Sequence, residues 1–542
     1  MGRRRAGTTF VSTVLAAACT WGGSGDTPEV PPSFPFQAVS QGGMVVTGSP
    51  YATEAGVRML EQGGNAVDAA VAAAFALAVA EPTQSGLGGR TQFLFCGADG
   101  VVHGIDGTTE VPAVYNAATA PTGEHGHPAV GIPGSVAALT RALAEHGSLP
   151  LATVMEPAIR WASSGVVPPE GEQERIREIV AAIDTASPVA RALRFVDSDD
   201  GQAWLVQSDL ATTLRTVAAG GADAFYRGGI AETIAADMRA NGGFVTLADL
   251  SAYEAVDSEI GSGTYRGVEL VGSYLPASGV TVIQILQTLD RLQPEGLAEP
   301  EWAAAVAEAL LVGFEDRERA ESMAPARAVS WLTSDSLAER RALDIRGRVQ
   351  DGPGAPAAAA ADDGRESSFT SHISVVDAVG NVVAMTQSLG PTGGARVMTP
   401  GLGFLYASTL GGYLLGGDPG YRPWSSQAPL IVSDETGPIL VMGGAGGRRI
   451  VSALVATVSR IFDQGMDIET AMRAPRLHPT GGDLVIDEEW DARDGLRAMG
   501  YSVVRTEADY FARLNVIHLS PGEVTGVAQP SWSGASSGGP RR

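Results

Sequence analysis

Thr370 stands at an abrupt boundary in the sequence. The polar, Gly/Pro/Ala-rich stretch DGPGAPAAAAADDGRESS, Asp351 to Ser368, ends there and the strand pattern TSHISVV begins almost at once. A hydroxyl is a poor nucleophile until a base removes its proton. A threonine at a newly made N-terminus can use its own α-amine for this, because that amine titrates near neutral pH. The bond to be broken would be Phe369–Thr370, with a removable flexible segment in front of it. The same residues also fit a β-branched residue that simply opens a strand, and the residues alone leave both readings open.

A second chemical pattern is Gly443-Gly444-Ala445-Gly446-Gly447, between an apolar strand pattern and the helical stretch Ile450 to Gln464. Backbone N–H groups at such a turn can face a developing oxyanion, and glycine allows close approach. No Lys-Ser/Thr follows, so a phosphate-cradling Walker loop is excluded. Gly86-Leu87-Gly88-Gly89 precedes a strand rather than a helix, which argues against a dinucleotide site. His125 and His127 lie two apart in a Gly/Pro-rich loop, a spacing compatible with metal, but the other histidines do not cluster with them. His372 shares a strand face with Thr370 and reads as a packed residue rather than a base. Neither HExxH nor a G-x-S-x-G elbow occurs. No metal and no organic cofactor is expected.

These residues need a scaffold of strands and helices. Met44-Val45-Val46 is expected as a strand and Pro50 to Gln62 as a helix, with Gly63-Gly64 closing it and Asn65 capping the next. Asn65 to Ala80 is apolar around most of its circumference, the pattern of a helix buried in a large fold. Gln92 to Cys96 and Val101 to Ile105 read as paired strands, and several helices follow between about Ser135 and Arg348. Ser371 to Val376 and Val382 to Leu389 predict a hairpin around Asp377 to Asn381. A further strand pair is expected over Leu430 to Met442, ahead of a glycine-rich loop over Gly443 to Gly447.

The 542 residues allow two or three domain equivalents, and 44% hydrophobic content marks a globular chain. With 37 basic and 61 acidic residues the formal charge is −24, which argues against nucleic acid as a partner. Every basic residue is arginine, so lysine Schiff-base chemistry and a Ser-Lys dyad are excluded. Arg3-Arg4-Arg5 and the short apolar run Phe10 to Ala18 read as a secretory signal over residues 1–19. The run ends in LAAAC and approximates a lipoprotein box, with Cys19 as the lipid-bearing residue. Residues 20–40 read as a tether. The expectation is export in a bacterium, to the periplasm or to a membrane through a lipid anchor.

In this order, the stretches EQGGNAVDAAVAAAFALAVAEPTQSGLGG, VGIPGSVAAL, FYRGGIAETIAADMRANGGFVTLADLSAYEAV, TSHISVVDAVGNVVAMTQSL, YRPWSSQAPLIV, GGAGGRRI and APRLHP resemble the gamma-glutamyltranspeptidase family of N-terminal nucleophile hydrolases. The resemblance runs over roughly Gln41 to Thr525. It implies an α+β, four-layer αββα fold and a proenzyme cut before Thr370. The products would be a large chain, residues 41–369 with a flexible pre-cleavage segment at 351–369, and a small chain, residues 370–542, held together as a heterodimer. It further implies acyl transfer from a glutathione-like amide. Thr370 would be the nucleophile and Ser388 its supporting hydroxyl. Gly446 and Gly447 would form the oxyanion hole, and Ser425 and Ser426 would hold a substrate carboxylate.

Several positions depart from the family pattern. Thr108 stands where the family places an arginine that clamps the glutamyl α-carboxylate. Gly390 replaces an asparagine, and Gly411-Gly412 replaces the acidic pair that holds the α-ammonium group. Arg90 interrupts a glycine run and is the candidate for gripping a differently placed carboxylate; Arg396 and Arg448 are secondary candidates. The departures keep two alternatives in view: an acylase of the same fold without glutamyl preference, and an uncleaved binding protein.

Overall fold

The computed structural model describes residues 30, 33–197, 202–351, 368–414, 417–532 and 534–540. The expected signal, Cys19, most of the tether and nearly all of the segment before Thr370 lie outside the described residues.

Two seven-stranded sheets lie face to face at the centre of the fold. The first runs, in spatial order, Ser536–Gly538, Gly43–Thr47, Ser368–Asp377, Val382–Pro391, Arg90–Cys96, Val102–Gly107 and Val256–Asp257. The second runs Gln37–Ser40, Glu523–Ala528, Arg513–Ser520, Gly437–Ala445, Leu430–Asp434, Val268–Ser273 and Ile260–Tyr265. The edge strand Ile260–Tyr265 and its neighbour Val268–Ser273 fall within a stretch that the sequence pattern assigns to helices. IGSGTY carries too little apolar alternation to announce a strand, and only pairing with its neighbour makes it one.

Alternate residues on the inner faces meet between the sheets. Met44, Val46, Leu94 and Val376 pack there against Ile431, Val441 and Ile517. The outer face of the first sheet is covered by helices Pro50–Glu61 and Ala66–Ala80. Gly279–Leu292, Glu299–Glu321 and Arg449–Gln464 cover the second. Each sheet thereby buries both faces, giving the αββα layering.

The Ala66–Ala80 helix is buried at every position. Asn65 accepts from the N–H groups of Val67 and Asp68, while Asp68 accepts from Asn65 N–H, a complete capping box. The hairpin is as expected in type but longer: Ser368–Asp377 pairs with Val382–Pro391, with a register shift between Phe369 and Thr370. The glycine-rich loop, by contrast, is shorter than its sequence suggests. Gly443 and Gly444 belong to the Gly437–Ala445 strand and pair with Asn515 and Leu514. The reason for Gly443 is steric: a Cβ there would lie 2.2 Å from Cε1 of the His372 ring in the facing sheet.

Candidate active site

Thr370, Ser388 and Arg90 occupy directly paired positions on three adjacent strands of the first sheet. Directly paired residues project to the same face, so the three form one row. Thr370 Oγ1 donates to Ser388 Oγ at 3.1 Å, and that oxygen also accepts from Gly390 N–H at 2.9 Å. Thr370 is 3% exposed.

His372 lies two residues further along the same face. Its Nδ1 is 2.8 Å from Thr386 Oγ1 and its Nε2 is 3.1 Å from Ser374 Oγ, while its carbonyl accepts from Asn515 Nδ2 at 2.6 Å. Complete burial holds its imidazole down to about 3, so the ring is neutral. Both ring nitrogens are occupied by other hydroxyls. The histidine is a packed strand residue.

Ser371 projects to the opposite face, where its hydroxyl donates to Glu81 Oε2 at 2.6 Å. Thr370 and Ser371 share a small cleft, about 20 Å³, with Glu81, Ala445, Arg513 and Trp532. Ala445 is the last residue of its strand, and Gly446 and Gly447 turn from it into the Arg449–Gln464 helix. Both adopt φ values that favour glycine, +141° and +62°, and a Cβ on Gly446 would lie 2.8 Å from Ala512 Cα. No side chain caps the start of this helix. Within its first turn Ile450 N–H donates to Gly447 O at 3.0 Å and Val451 N–H to Arg448 O at 3.1 Å.

Ser425 and Ser426 are held through backbone anchors. Ser425 N–H donates to Pro276 O at 2.8 Å, and Ser425 O accepts from Ser278 Oγ at 2.8 Å and Arg317 Nη2 at 2.7 Å. Gln427 Nε2 then donates to Thr386 O at 2.7 Å, two residues before Ser388 in its strand. Ser426 is buried. The pair is thus tied to the strand that carries Ser388.

Arg90 is 1% exposed, not a surface residue. Its Nη2 donates to Ser408 O at 3.0 Å, and its guanidinium lies 5.6 Å from the Tyr413 ring centroid. Gly390 accounts for this placement. It has φ +90°, and a Cβ there would stand 2.8 Å from Arg90 Nη2 and 2.7 Å from Tyr413 Cε1. The space for the family's asparagine is filled by the arginine and the tyrosine.

The other departures have equally local causes. Thr108 is buried, with its hydroxyl accepting from Gln92 Nε2 at 2.8 Å and its N–H donating to Asp106 Oδ1 at 2.8 Å. The neighbouring carboxylates are met by Arg422, 3.2 Å from Asp106 Oδ2 and 3.3 Å from Glu110 Oε2. Gly411 and Gly412 pack backbone against backbone: Cβ atoms there would lie 2.3 Å from Gly123 O and 2.8 Å from Thr122 O. An acidic pair has no room at these positions.

The secondary arginines are placed differently. Arg448 is 3.6 Å from Glu318 and lies over the rings of Phe314 and Trp424, while Arg396 adopts a left-handed backbone, φ +54°. His127 finds an acidic neighbour in Asp237, at 3.2 Å. Among the described residues no cluster of three metal-ligating side chains occurs. Glu81, Gln84, Arg422 and Arg513 line or brace the site without standing out in the sequence; the EPTQS and YRPWSS stretches were the available signals.

The gamma-glutamyltranspeptidase family model matches residues 52–539 of this chain. An acylase ACY 1 proenzyme of Pseudomonas sp. (strain V22) is 33% identical over 527 residues, covering 91% of this chain and 92% of that protein. A glutathione hydrolase proenzyme of Escherichia coli (strain K12) is 31% identical over 577 residues, covering 96% and 98%. Among solved structures, cephalosporin acylase from Bacillus halodurans superposes with a TM-score of 0.81 at 24% identity, over 96% of this chain and 100% of that one. Gamma-glutamyltranspeptidase of Helicobacter pylori, at 30% identity, gives a TM-score of 0.51 over 55% of this chain and 89% of that one. The layering described above is therefore that of the N-terminal nucleophile hydrolases. With nearly its whole folded length matched, this chain belongs to the gamma-glutamyltranspeptidase family and is an enzyme of its amidohydrolase and transpeptidase type.

Proposed function

We propose that the chain cuts itself between Phe369 and Thr370 and that Thr370 Oγ1 then takes the acyl group from a small-molecule amide. The large and small chains, 41–369 and 370–542, remain together as a heterodimer. Thr370's freed α-amine accepts the hydroxyl proton as Oγ1 attacks the amide carbonyl. The tetrahedral oxyanion is met by N–H groups of the Gly446–Gly447 turn. As the intermediate collapses, the leaving amine takes the proton and an ester to Thr370 remains. Water resolves the ester by hydrolysis; an acceptor amine resolves it by transfer. Ser388 keeps the attacking oxygen aimed, and Ser425 and Ser426 hold a carboxylate of the substrate. The observation that carries this reading is the Thr370–Ser388 hydrogen bond at the start of an interior strand of the first sheet, on the face turned toward the second.

Arg90 is the carboxylate anchor for the acyl group. A γ-glutamyl group also brings an α-ammonium, and the packing at Gly411 and Gly412 leaves no room for the family's acidic pair; the one carboxylate beside Gly412 is that of Glu124, from a different loop. Charge-assisted hydrogen bonds contribute about 1.5–3 kcal/mol each. Losing the usual clamp and ammonium acceptor together costs roughly 10² to 10⁴ in affinity. This favours a second reading beside γ-glutamyl transfer, an acylase that takes a carboxylate-bearing acyl group without an α-amine. Export, with or without a lipid on Cys19, belongs to the same proposal.

Intact mass and N-terminal sequencing test the first part: a small chain beginning Thr-Ser-His is expected, and a Thr370→Ala chain is expected to stay whole. A wild-type chain that stays whole across Phe369–Thr370 overturns the reading. Competition by free glutamate against dicarboxylic acids lacking the amine separates the two acyl readings.

A further inference from the structure

A buried carboxylate beside Thr370 has no part in the steps above. Glu81 closes the Ala66–Ala80 helix, its N–H donating to Leu77 O at 2.7 Å, and it is 2% exposed. The C-terminus of a helix carries partial negative charge and favours cations. A buried carboxylate on the end of an apolar helix is therefore badly placed unless positive charge stands close by. Glu81 Oε2 accepts from Ser371 Oγ at 2.6 Å, whereas Oε1 has no hydrogen-bond partner among the described residues. Both residues line the cleft that contains Thr370.

Apart from Glu172, the other charges around this cleft are cations, and Glu81 is one of the two carboxylates that act on the nearest of them, Arg513. Glu172, from the helix Glu170–Ala181, accepts from Thr83 N–H at 2.8 Å and Arg175 Nε at 3.1 Å. Arg513, from its strand in the second sheet, donates to Gln84 Oε1 at 2.6 Å and stacks on Trp532 at 3.7 Å. Burial, with Arg175 next in effect, lowers Arg513 to about 10, and it remains a cation at neutral pH. Arg449 donates to Gly446 O at 3.0 Å, Arg90 lies on the far side of Ser388, and His372 is neutral. Cutting the chain adds two charges that the intact chain lacks, the α-carboxylate of Phe369 on the large chain and the α-ammonium of Thr370 at the cleft.

We propose that Glu81 is a positioning residue for the threonine: its carboxylate fixes Ser371 and supplies the negative charge that faces the α-ammonium created by cleavage. The inference rests on the self-cleavage reading. It gives the amine an anionic neighbour in a chain where Gly390 offers no side chain.

The sign of the effect follows directly. A nearby carboxylate favours the ammonium form and raises the pH at which the amine becomes a base, while Arg513 opposes it. The acidic limb of kcat/KM reports this group in the free enzyme. In Glu81→Gln, Arg513 acts alone, and the limb is expected to move to lower pH by about one pH unit. Glu81→Asp keeps the charge and should leave the limb in place. Ser371→Ala removes the hydrogen bond but not the charge, so its rate should fall while its limb stays.

The test uses a chromogenic γ-glutamyl anilide and its counterpart lacking the amine, with intact mass recorded for each variant. A cut, active Glu81→Gln enzyme with the wild-type limb overturns the proposal. So does failure of both Glu81 variants to be cut, which assigns the residue to packing. A Glu81→Gln chain left whole beside a cut Glu81→Asp chain makes the charge a requirement of cleavage itself and overturns its assignment to the ammonium. A wild-type chain that is never cut removes the reading beneath the inference; the other outcomes bear on Glu81 alone.

Discussion

Ser388 Oγ accepts two hydrogen bonds at once, from Thr370 Oγ1 at 3.1 Å and from Gly390 N–H at 2.9 Å. The serine thus ties the threonine hydroxyl to the backbone of the adjacent strand, just where that strand turns toward Gly393 and Gly394. A side chain that accepts from a backbone donor and from a second hydroxyl has its rotamer set by both. Thr370 Oγ1 inherits that fixed direction.

Ser388→Ala is expected to free the threonine rotamer and leave Gly390 N–H without its acceptor. Amide turnover should fall by roughly 10²-fold, in the range of a lost catalytic hydrogen-bonding group. Self-cleavage should slow as well, read by intact mass against time. Ser388→Thr, which keeps the hydroxyl, should retain most of both rates. Equal losses in the two variants would remove the hydroxyl's role.

Gly443→Ala probes the contact between the two sheets. The added Cβ would stand 2.2, 2.5 and 2.7 Å from three atoms of the His372 ring. That ring is held by Thr386 and Ser374 and has no simple retreat. Overpacking of this kind typically costs about 1–3 kcal/mol. Denaturant unfolding should show that loss, and a Gly443→Ala/His372→Ala double variant should lose less than the two single losses added together.

The same contact shows which parts of the fold can be read from sequence. The Thr370 hairpin is legible because apolar alternation on both sides of Asp377 to Asn381 is a local pattern, and so is the Asn65 capping box. Gly443 and Gly444 read as loop because glycine is a turn residue in isolation. Gly443 has its place in the strand because a histidine of the other sheet leaves no room for a Cβ, and Gly444 because Leu514 and Arg513 of the neighbouring strand leave none. The clustering of Thr370, Ser388 and the Gly446 turn follows from motif order through family resemblance, not from spacing. Glu81, Arg422 and Arg513 could not be found in this way, since their partners are distant in sequence and ordinary in type. Arg90 could be singled out by its break in a glycine run, but the space made for it by Gly390 is visible only in three dimensions.

His372 makes a pH prediction. Its folded value, about 3, lies below the ordinary value near 6.5, and burial is the cause. The unfolded chain therefore binds a proton at this position over a range where the folded chain does not. The associated stability is fully present above about pH 6.5 and is lost as pH falls toward 3. The loss attributable to this residue should approach about 1.4 kcal/mol per pH unit within that window. Urea unfolding of wild type and His372→Asn between pH 7 and pH 4 checks it: the variant should show the shallower slope, and parallel slopes would count against the assignment.

Arg90 is expected to decide the acyl specificity. It shares a row with Thr370 and Ser388, and Gly390 leaves room for its guanidinium beside Tyr413. A guanidinium in that row can reach a carboxylate on the acyl group while the carbonyl lies at Thr370. Its removal should raise KM for carboxylate-bearing acyl anilides by roughly 10- to 10²-fold, the equivalent of one charge-assisted contact of about 1.5–3 kcal/mol. Neutral acyl anilides of the same length make no such contact, and their kinetics should change little. Because Arg90 also donates to Ser408 O, Arg90→Gln serves as the control that keeps an N–H donor without the charge. If Arg90→Ala hydrolyses acidic and neutral acyl substrates in the wild-type ratio, the carboxylate anchor lies elsewhere. A collapse of the ratio in both Arg90→Ala and Arg90→Gln, with the chain still cut, places it on the Arg90 guanidinium.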